Sequence, residues 1–288
     1  MSKLLWSPTK EAVSRANLTR FIEFVNRRHD RSLAGYNDLY QWSVEAIPDF
    51  WAALWDFLEI RHTRTYDRVV DDVARMPGAG WFTGAELNFA ENLLRYRDDQ
   101  PALIFKGENH PTRRISYAEL SDQVTHLAKS LKDIGVIKGG RVAGFMPNMI
   151  ETVVAMLAAA SLGAIWSSCS PDFGSKGVLD RFGQIEPKVM FTADGYYYQG
   201  KAFNSLERAA AVMKSLPKAV KLVVVPYVNP RPDLRDLPRA VSYPDFISHE
   251  SGLKPNFVQV PFSHPLYIMY SSFPSLSFLV TASEKQHP

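Results

Sequence analysis

The sharpest pattern with chemical content is Gly195-Tyr196-Tyr197-Tyr198-Gln199-Gly200-Lys201-Ala202. Its spacing nearly matches GxxxxGK[ST], the loop whose backbone amides cradle phosphates and whose lysine reaches them. It also falls between a strand expected over 188–192 and a helix expected over 203–216, the context that loop needs. Two features argue against it. Ala202 stands where a hydroxyl would hold Mg²⁺, and consecutive tyrosines crowd a backbone that has to wrap phosphates. The strand expected over 220–225 ends at Pro226 rather than at the acidic residue of a nucleotide-hydrolysing site. A P-loop ATPase is therefore set aside. Two readings of Lys201 stay open: a phosphate contact at a helix N-terminus, where anions are favoured, or a solvated lysine beside tyrosines.

Other candidates carry less. The dinucleotide fingerprint GxGxxG is absent, and Gly139-Gly140 precedes its strand instead of following it. Histidines 29, 62, 110, 126, 249, 264 and 287 show no metal-ligand spacing with one another or with Cys169. Cys169 follows a strand, where a nucleophile can sit, but no partner base is evident, so it reads as an inert small residue. As the single cysteine it excludes an intrachain disulfide and fits a reducing compartment. Lys+Arg 33 against Asp+Glu 30 leaves a net +3 spread along the chain. The basic spots Arg27-Arg28, Arg61-His62-Thr63-Arg64 and Arg113-Arg114 are short and read as solvated faces, not as a nucleic-acid surface. The start MSKLLWSPTK lacks the apolar core of a signal peptide. The run Val153–Trp166 suits a buried helix and strand better than a membrane span. No nucleic acid, no membrane span and a cytosolic location are expected.

The elements that position these residues follow from apolar spacing. The central stretch is Gly139 to Phe173. Val142 to Phe145 is a strand, Pro147 and Asn148 break it, and Asn148 with Glu151 forms a capping-box pattern. Val153 to Leu162 leaves almost no polar face, so that helix is expected to be buried. Gly163 suits the left-handed residue past its end, and Ala164 to Ser168 is a second strand. Strands joined through a helix are most simply parallel with a right-handed crossover. Strand 102–105, a turn over 107–111, a return strand over 112–115 and the capping box Ser116/Glu119 precede this unit. Helix 177–185 and the strands and helix flanking the glycine–lysine pattern follow it. Residues 229–261 read as an irregular surface segment, and 266–270 as one more strand. The predicted class is α/β, with a largely parallel sheet covered by helices on both faces.

Residues 1–95 differ. They hold five of the six tryptophans, Trp6, Trp42, Trp51, Trp55 and Trp81. Helices are predicted over 17–29, 36–42, 48–58 and 87–94. Phe50, Trp51, Leu54, Trp55 and Leu58 share one face, read as docking onto the main domain. The domain reading is a helical aromatic-rich region over 1–95, an α/β domain over 96–272 and a tail over 273–288.

Several stretches resemble a known family. Tyr36 to Val44, Asp49-Phe50-Trp51 and Leu87 to Leu94 resemble the N-terminal region of acyl-CoA synthetases of the acetyl-CoA synthetase type. More narrowly, Met156 to Ser168, Ser170 to Gly174, Val178 to Phe182 and Pro261 to Ser272 look like the acetoacetyl-CoA synthetase branch of these AMP-binding, acyl-adenylate-forming enzymes. The resemblance implies ligation of acetoacetate to CoA with ATP and Mg²⁺ through an acyl-adenylate, in ketone-body and lipid metabolism. It implies CoA contacts at Ser170, Pro171, Asp172, Tyr198 and Lys201, the last two standing where relatives have arginine. It also places the start of the ATP phosphate loop at Ser271-Ser272. The sequence then continues through Phe273 to Pro288 without a glycine. The expectation is an incomplete N-terminal domain with a divergent tail, inactive alone and without an assigned catalytic residue. The alternatives are a non-catalytic CoA-binding chain, a partner of a full-length synthetase, or an unstable fragment.

Overall fold

The computed structural model describes residues 5–270, and two compact units divide between Ala85 and Glu86. The first unit contains helices α1 (Lys10–Arg15), α2 (Asn17–His29), α3 (Tyr36–Glu45) and α4 (Ile47–Phe57). Strands β1 (Arg68–Val70) and β2 (Trp81–Thr83) close it as an antiparallel pair. The spacing of Phe21 and Val25 puts both on one side of α2, where they meet Leu39 and Trp42 of α3 and Ala53 of α4. Phe50 and Leu54 pack against the same cluster, and Trp55 stacks on Phe82 at 4.8 Å. The predicted face of α4 is thus used within its own unit, while Trp51 and Leu58 remain exposed.

The second unit begins with β3 (Glu86–Leu87) and α5 (Phe89–Leu93). The hairpin β4 (Pro101–Phe105) and β5 (Arg113–Ser116) then leads into α6 (Tyr117–Asp133). The predicted capping box is formed: Ser116 Oγ accepts from Glu119 N at 3.2 Å, and Glu119 Oε2 accepts from Ser116 N at 2.7 Å. After it come β6 (Arg141–Phe145), α7 (Ile150–Ser161), β7 (Ile165–Cys169), α8 (Ser175–Ile185) and β8 (Val189–Ala193). The chain continues through β9 (Gly195–Tyr198), β10 (Lys201–Asn204), α9 (Leu206–Lys214) and β11 (Lys221–Val225). Among the described residues the last elements are β12 (Ala240–Ser242), α10 (Tyr243–Phe246) and β13 (Val260–Pro261), the last antiparallel to β3.

The main sheet is parallel throughout, in the order β12-β11-β8-β6-β7. Its strands are apolar on both sides because both sides are covered. Val142, Val189, Phe191, Val223 and Val225 face a core built with α6 and α7. Their neighbours in sequence, Ala143, Met190, Leu222 and Val224, face the opposite core, built with α8 and α9. That period-two division is the α/β architecture the sequence implies. Only glycine fits at 144, since an added Cβ would lie 2.6 Å from the Trp166 ring.

Gly163 closes α7 as expected, at φ 66. Its N–H donates to Ala160 O, and Ala164 N donates to Ala159 O, both at 3.0 Å, the paired bonds of a Schellman end. The start of α7 differs from the sequence reading. Met149, not Asn148, is the residue before the helix, and no side chain caps it. Glu151 turns away to Arg113, whose Nη2 lies 2.6 Å from Glu151 Oε1, so the capping box is not made. The segment 229–261 is also less irregular than expected, since β12 adds a strand to the sheet edge. Conversely, 266–270 makes no full strand. Trp166 N donates to Leu266 O at 3.0 Å and Ile268 N to Trp166 O at 2.9 Å, one parallel bridge along β7.

Candidate functional site

The order of the strands fixes where a ligand site belongs. From β6 the chain crosses outward to β7 through α7 on one face. It then returns to β8 through α8 on the other face. Keeping both crossovers right-handed requires that change of face. The switch lies between β6 and β8, and in open sheets of this kind ligands bind outside the carboxyl ends of the strands there. The loops leaving β7 and β8 carry the candidate residues Ser170, Pro171, Asp172, Tyr198 and Lys201.

Immediately after β8, Asp194 is buried, and its carboxylate accepts three backbone N–H groups: Tyr227 at 2.6 Å, Val228 at 2.9 Å and Asn229 at 2.7 Å. The exits of β8 and β11 are thereby tied together. Gly195 follows where no side chain fits, because a Cβ would meet Phe203 O at 2.4 Å. The glycine–lysine pattern is then a hairpin, not a loop opening a helix. Gln199 (φ 52) and Gly200 (φ 75) form its two-residue turn, and Tyr198 pairs with Lys201. Positive φ at both turn residues is the arrangement that matches strand twist in tight hairpins. Lys201 therefore starts β10, and the helix begins only at Leu206. The phosphate-cradle reading fails on a second count. The turn amides of Gln199 and Gly200 already donate to the Glu108 carboxylate, at 3.2 and 2.7 Å.

The two candidate stretches are brought together by a residue that sequence reading missed. Arg208, on α9, donates through Nη1 to Pro171 O at 3.1 Å and to Phe173 O at 3.3 Å. Its guanidinium lies 5.8 Å from the centroid of the Tyr196 ring. One side chain thus holds the β7 exit loop against the β9–β10 hairpin. Ser170 and Asp172 are exposed beside buried Pro171, and Tyr198 and Lys201 are exposed on the hairpin. Nothing in the sequence separates Arg208 from a solvated helix arginine. The Lys201 ammonium has no acid partner among the described residues. Ser271 and Ser272 lie outside the described residues. No group of three His, Cys, Asp or Glu side chains among the described residues could hold a metal ion.

Behind the hairpin His110 stacks on Tyr227 at 4.4 Å and meets Tyr197 at 5.5 Å. Burial, with smaller contributions from Tyr197, Glu108 and Glu151, raises the Tyr227 phenol above the ordinary tyrosine value. At the end of β7, burial pushes the Cys169 thiol up to about 11, against a weaker pull from Arg181. It is a thiol, not a thiolate, at neutral pH, which suits packing and not nucleophilic chemistry. Arg181 itself lies 4.8 Å from the Phe173 ring centroid and 5.6 Å from that of Tyr270. Tyr270 Oη donates to Arg181 O at 2.7 Å.

Comparison with known proteins follows this geometry. Residues 89–272 match the family model described as AMP-binding enzyme, and residues 36–93 match the acetyl-coenzyme A synthetase N-terminus. An acetoacetyl-CoA synthetase of Xenopus tropicalis is 42% identical over 282 residues, which is 94% of this chain and 41% of the relative. A malonamoyl-CoA synthetase of Penicillium aethiopicum is 37% identical over 94% of this chain and 39% of its own length. The solved acetoacetyl-CoA synthetase from Streptomyces lividans superposes with a TM-score of 0.86 at 38% identity, covering 94% of this chain and 42% of that one. The chain thus spans about two fifths of these relatives.

Proposed function

Because the chain belongs to the AMP-binding enzyme family, we propose that it is the amino-terminal portion of an acetoacetate–CoA ligase acting in the cytosol. The observation that carries this reading is the 42% identity to an acetoacetyl-CoA synthetase over 94% of the chain. In such a ligase ATP, with Mg²⁺, activates the carboxylate as an acyl-adenylate, and the thiol of CoA then takes the acyl group. Positioning and charge neutralisation supply most of that chemistry.

The residues at the carboxyl edge of the sheet serve the CoA half. Lys201 offers an unpaired ammonium to a CoA phosphate, with the exposed Tyr198 ring beside it. Ser170, Pro171 and Asp172 line the approach, and Arg208 positions that loop without needing to touch the ligand. The ATP half begins at Ser271-Ser272, and residues 273–288 supply no glycine to build a phosphate loop. The 288 residues by themselves are therefore expected not to form the adenylate.

Two measurements test the two halves. Acetoacetate-dependent exchange of pyrophosphate into ATP is expected to be absent with the purified chain, and observing it would overturn the second statement. Calorimetry with millimolar CoA is expected to show binding, weakened on the order of tenfold in Lys201→Ala, which is about 1.4 kcal/mol. No heat, or no change in that variant, withdraws the CoA assignment.

A further inference from the structure

At the amino edge of the sheet, opposite the CoA-facing loops, helices α6 and α7 leave a groove of about 190 Å³. Val124, Ala128 and Leu162 form its buried apolar floor, with Phe257 closing one side. The spacing 124, 125, 128, 129, 132 places these α6 residues along one stripe, so floor and rim belong to a single helix face. The outer wall is the loop 253–257. It is held in place where Val258 N donates to Ser161 O at 2.8 Å and Asn88 Nδ2 donates to Val258 O at 2.8 Å.

Charge on the rim has one sign that is not balanced. Lys129 is neutralised by Asp133 at 2.7 Å and faces Glu250 at 3.7 Å. Lys132 and Lys254 line the same groove, and neither ammonium makes an ion pair or hydrogen bond among the described residues. An apolar trough with two unpaired ammonium groups at its mouth matches an amphipathic anion. The tail leaves water for the floor, while the head stays at the rim within reach of both lysines. A cavity of about 150 Å³ holds a benzene-sized guest, so the volume here suits a medium-length tail and not a long one.

We propose that this groove is a binding site for a medium-chain carboxylate, separate from the site at the carboxyl edge. It requires neither CoA nor ATP, so its failure leaves the reading above untouched, and the reverse also holds.

Octanoate, titrated calorimetrically into the 288-residue chain, is the probe. Binding in the millimolar range or tighter is expected. The double variant Lys132→Glu/Lys254→Glu is expected to weaken it on the order of tenfold while still melting cooperatively, at a slightly lower temperature because Lys132 lies in the last turn of α6, where a negative charge opposes the helix dipole. Ala128→Leu, which fills the floor, is expected to weaken octanoate equally. Acetate, which has the charge without the tail, and octanol, which has the tail without the charge, are each expected to bind at least about tenfold less tightly. The proposal is overturned by no heat from octanoate, by equal binding in the charge-reversed variant, or by acetate or octanol binding as well as octanoate.

Discussion

Two regions that each leave a strand of the same sheet are built on different rules. The unit β6–α7–β7 is mostly buried. Val142, Ala143, Phe145, Val154 and Leu157 are buried, and its turn is sealed by backbone bonds at Gly163. The hairpin β9–β10 is open. All four residues of β10 are exposed, and its tip is held by one surface carboxylate, Glu108. In the first region burial dictates conformation, so apolar periodicity reveals it. In the second, turn chemistry decides, and the side chains are free to face a ligand. The residues proposed to meet CoA accordingly belong to the second region and to the loop that Arg208 ties to it.

The contrast predicts where a substitution is felt. Phe145→Ala removes a fully buried ring from the centre of β6. A loss of about 3–5 kcal/mol in chemical unfolding is expected, by lost transfer energy and the cavity left behind. A loss below about 1 kcal/mol would mean that this unit is as loosely held as the hairpin, and the comparison would fail. Alkaline titration of the closed unit is the next largest effect. Burial raises the folded Cys169 thiol to about 11, so above the ordinary thiol range the folded chain holds a proton the unfolded chain has released. Stability contributed by this group is full at neutral pH and is lost as pH rises from about 8.5 towards 11, by at most about 1.4 kcal/mol per pH unit. Comparing Cys169→Ser with the parent across that window isolates the thiol's contribution, and parallel curves would place the thiol in contact with water.

How far the sequence was legible follows the same division. Strand, helix and glycine cap over 139–169 could be read because most side chains there answer to one demand, burial. The capping box at Ser116 was equally legible, since its partners are local. The similar pattern at Asn148 misled, because Glu151 had a distant competitor in Arg113 that no local rule contains. The hairpin misled for a related reason. Gly195 to Ala202 carries the letters of a phosphate loop, yet Gln199-Gly200 is also a two-residue turn, and the stacked pair Tyr196–Phe203 at 5.2 Å favours strands. Arg208 was invisible, as its partners are backbone carbonyls in another loop. Ser170 to Asp172 were singled out by resemblance alone, since nothing in their residue types marks a site.

The smallest effect sharpens the comparison most. Glu108→Ala removes the carboxylate that accepts from Gln199 N and Gly200 N. Both groups are exposed, so water replaces the lost acceptor and stability should fall by less than about 1 kcal/mol. The informative reading is local. If the left-handed pair at Gln199-Gly200 suffices to hold the hairpin, amide exchange at Tyr196 and Phe203, which face each other as a hydrogen-bonded pair, stays protected while that at the tip accelerates. Collapse of protection along all of β10 would instead make Glu108 the clasp on which the hairpin depends. The freed amides would then matter for function too, because they sit beside Lys201 and present two N–H donors to any anion that approaches it. CoA affinity in Glu108→Ala should accordingly rise or hold, since a nearby negative charge is removed. A marked fall would show that the carboxylate positions Lys201, and that the open region is more tightly organised than its exposure implies.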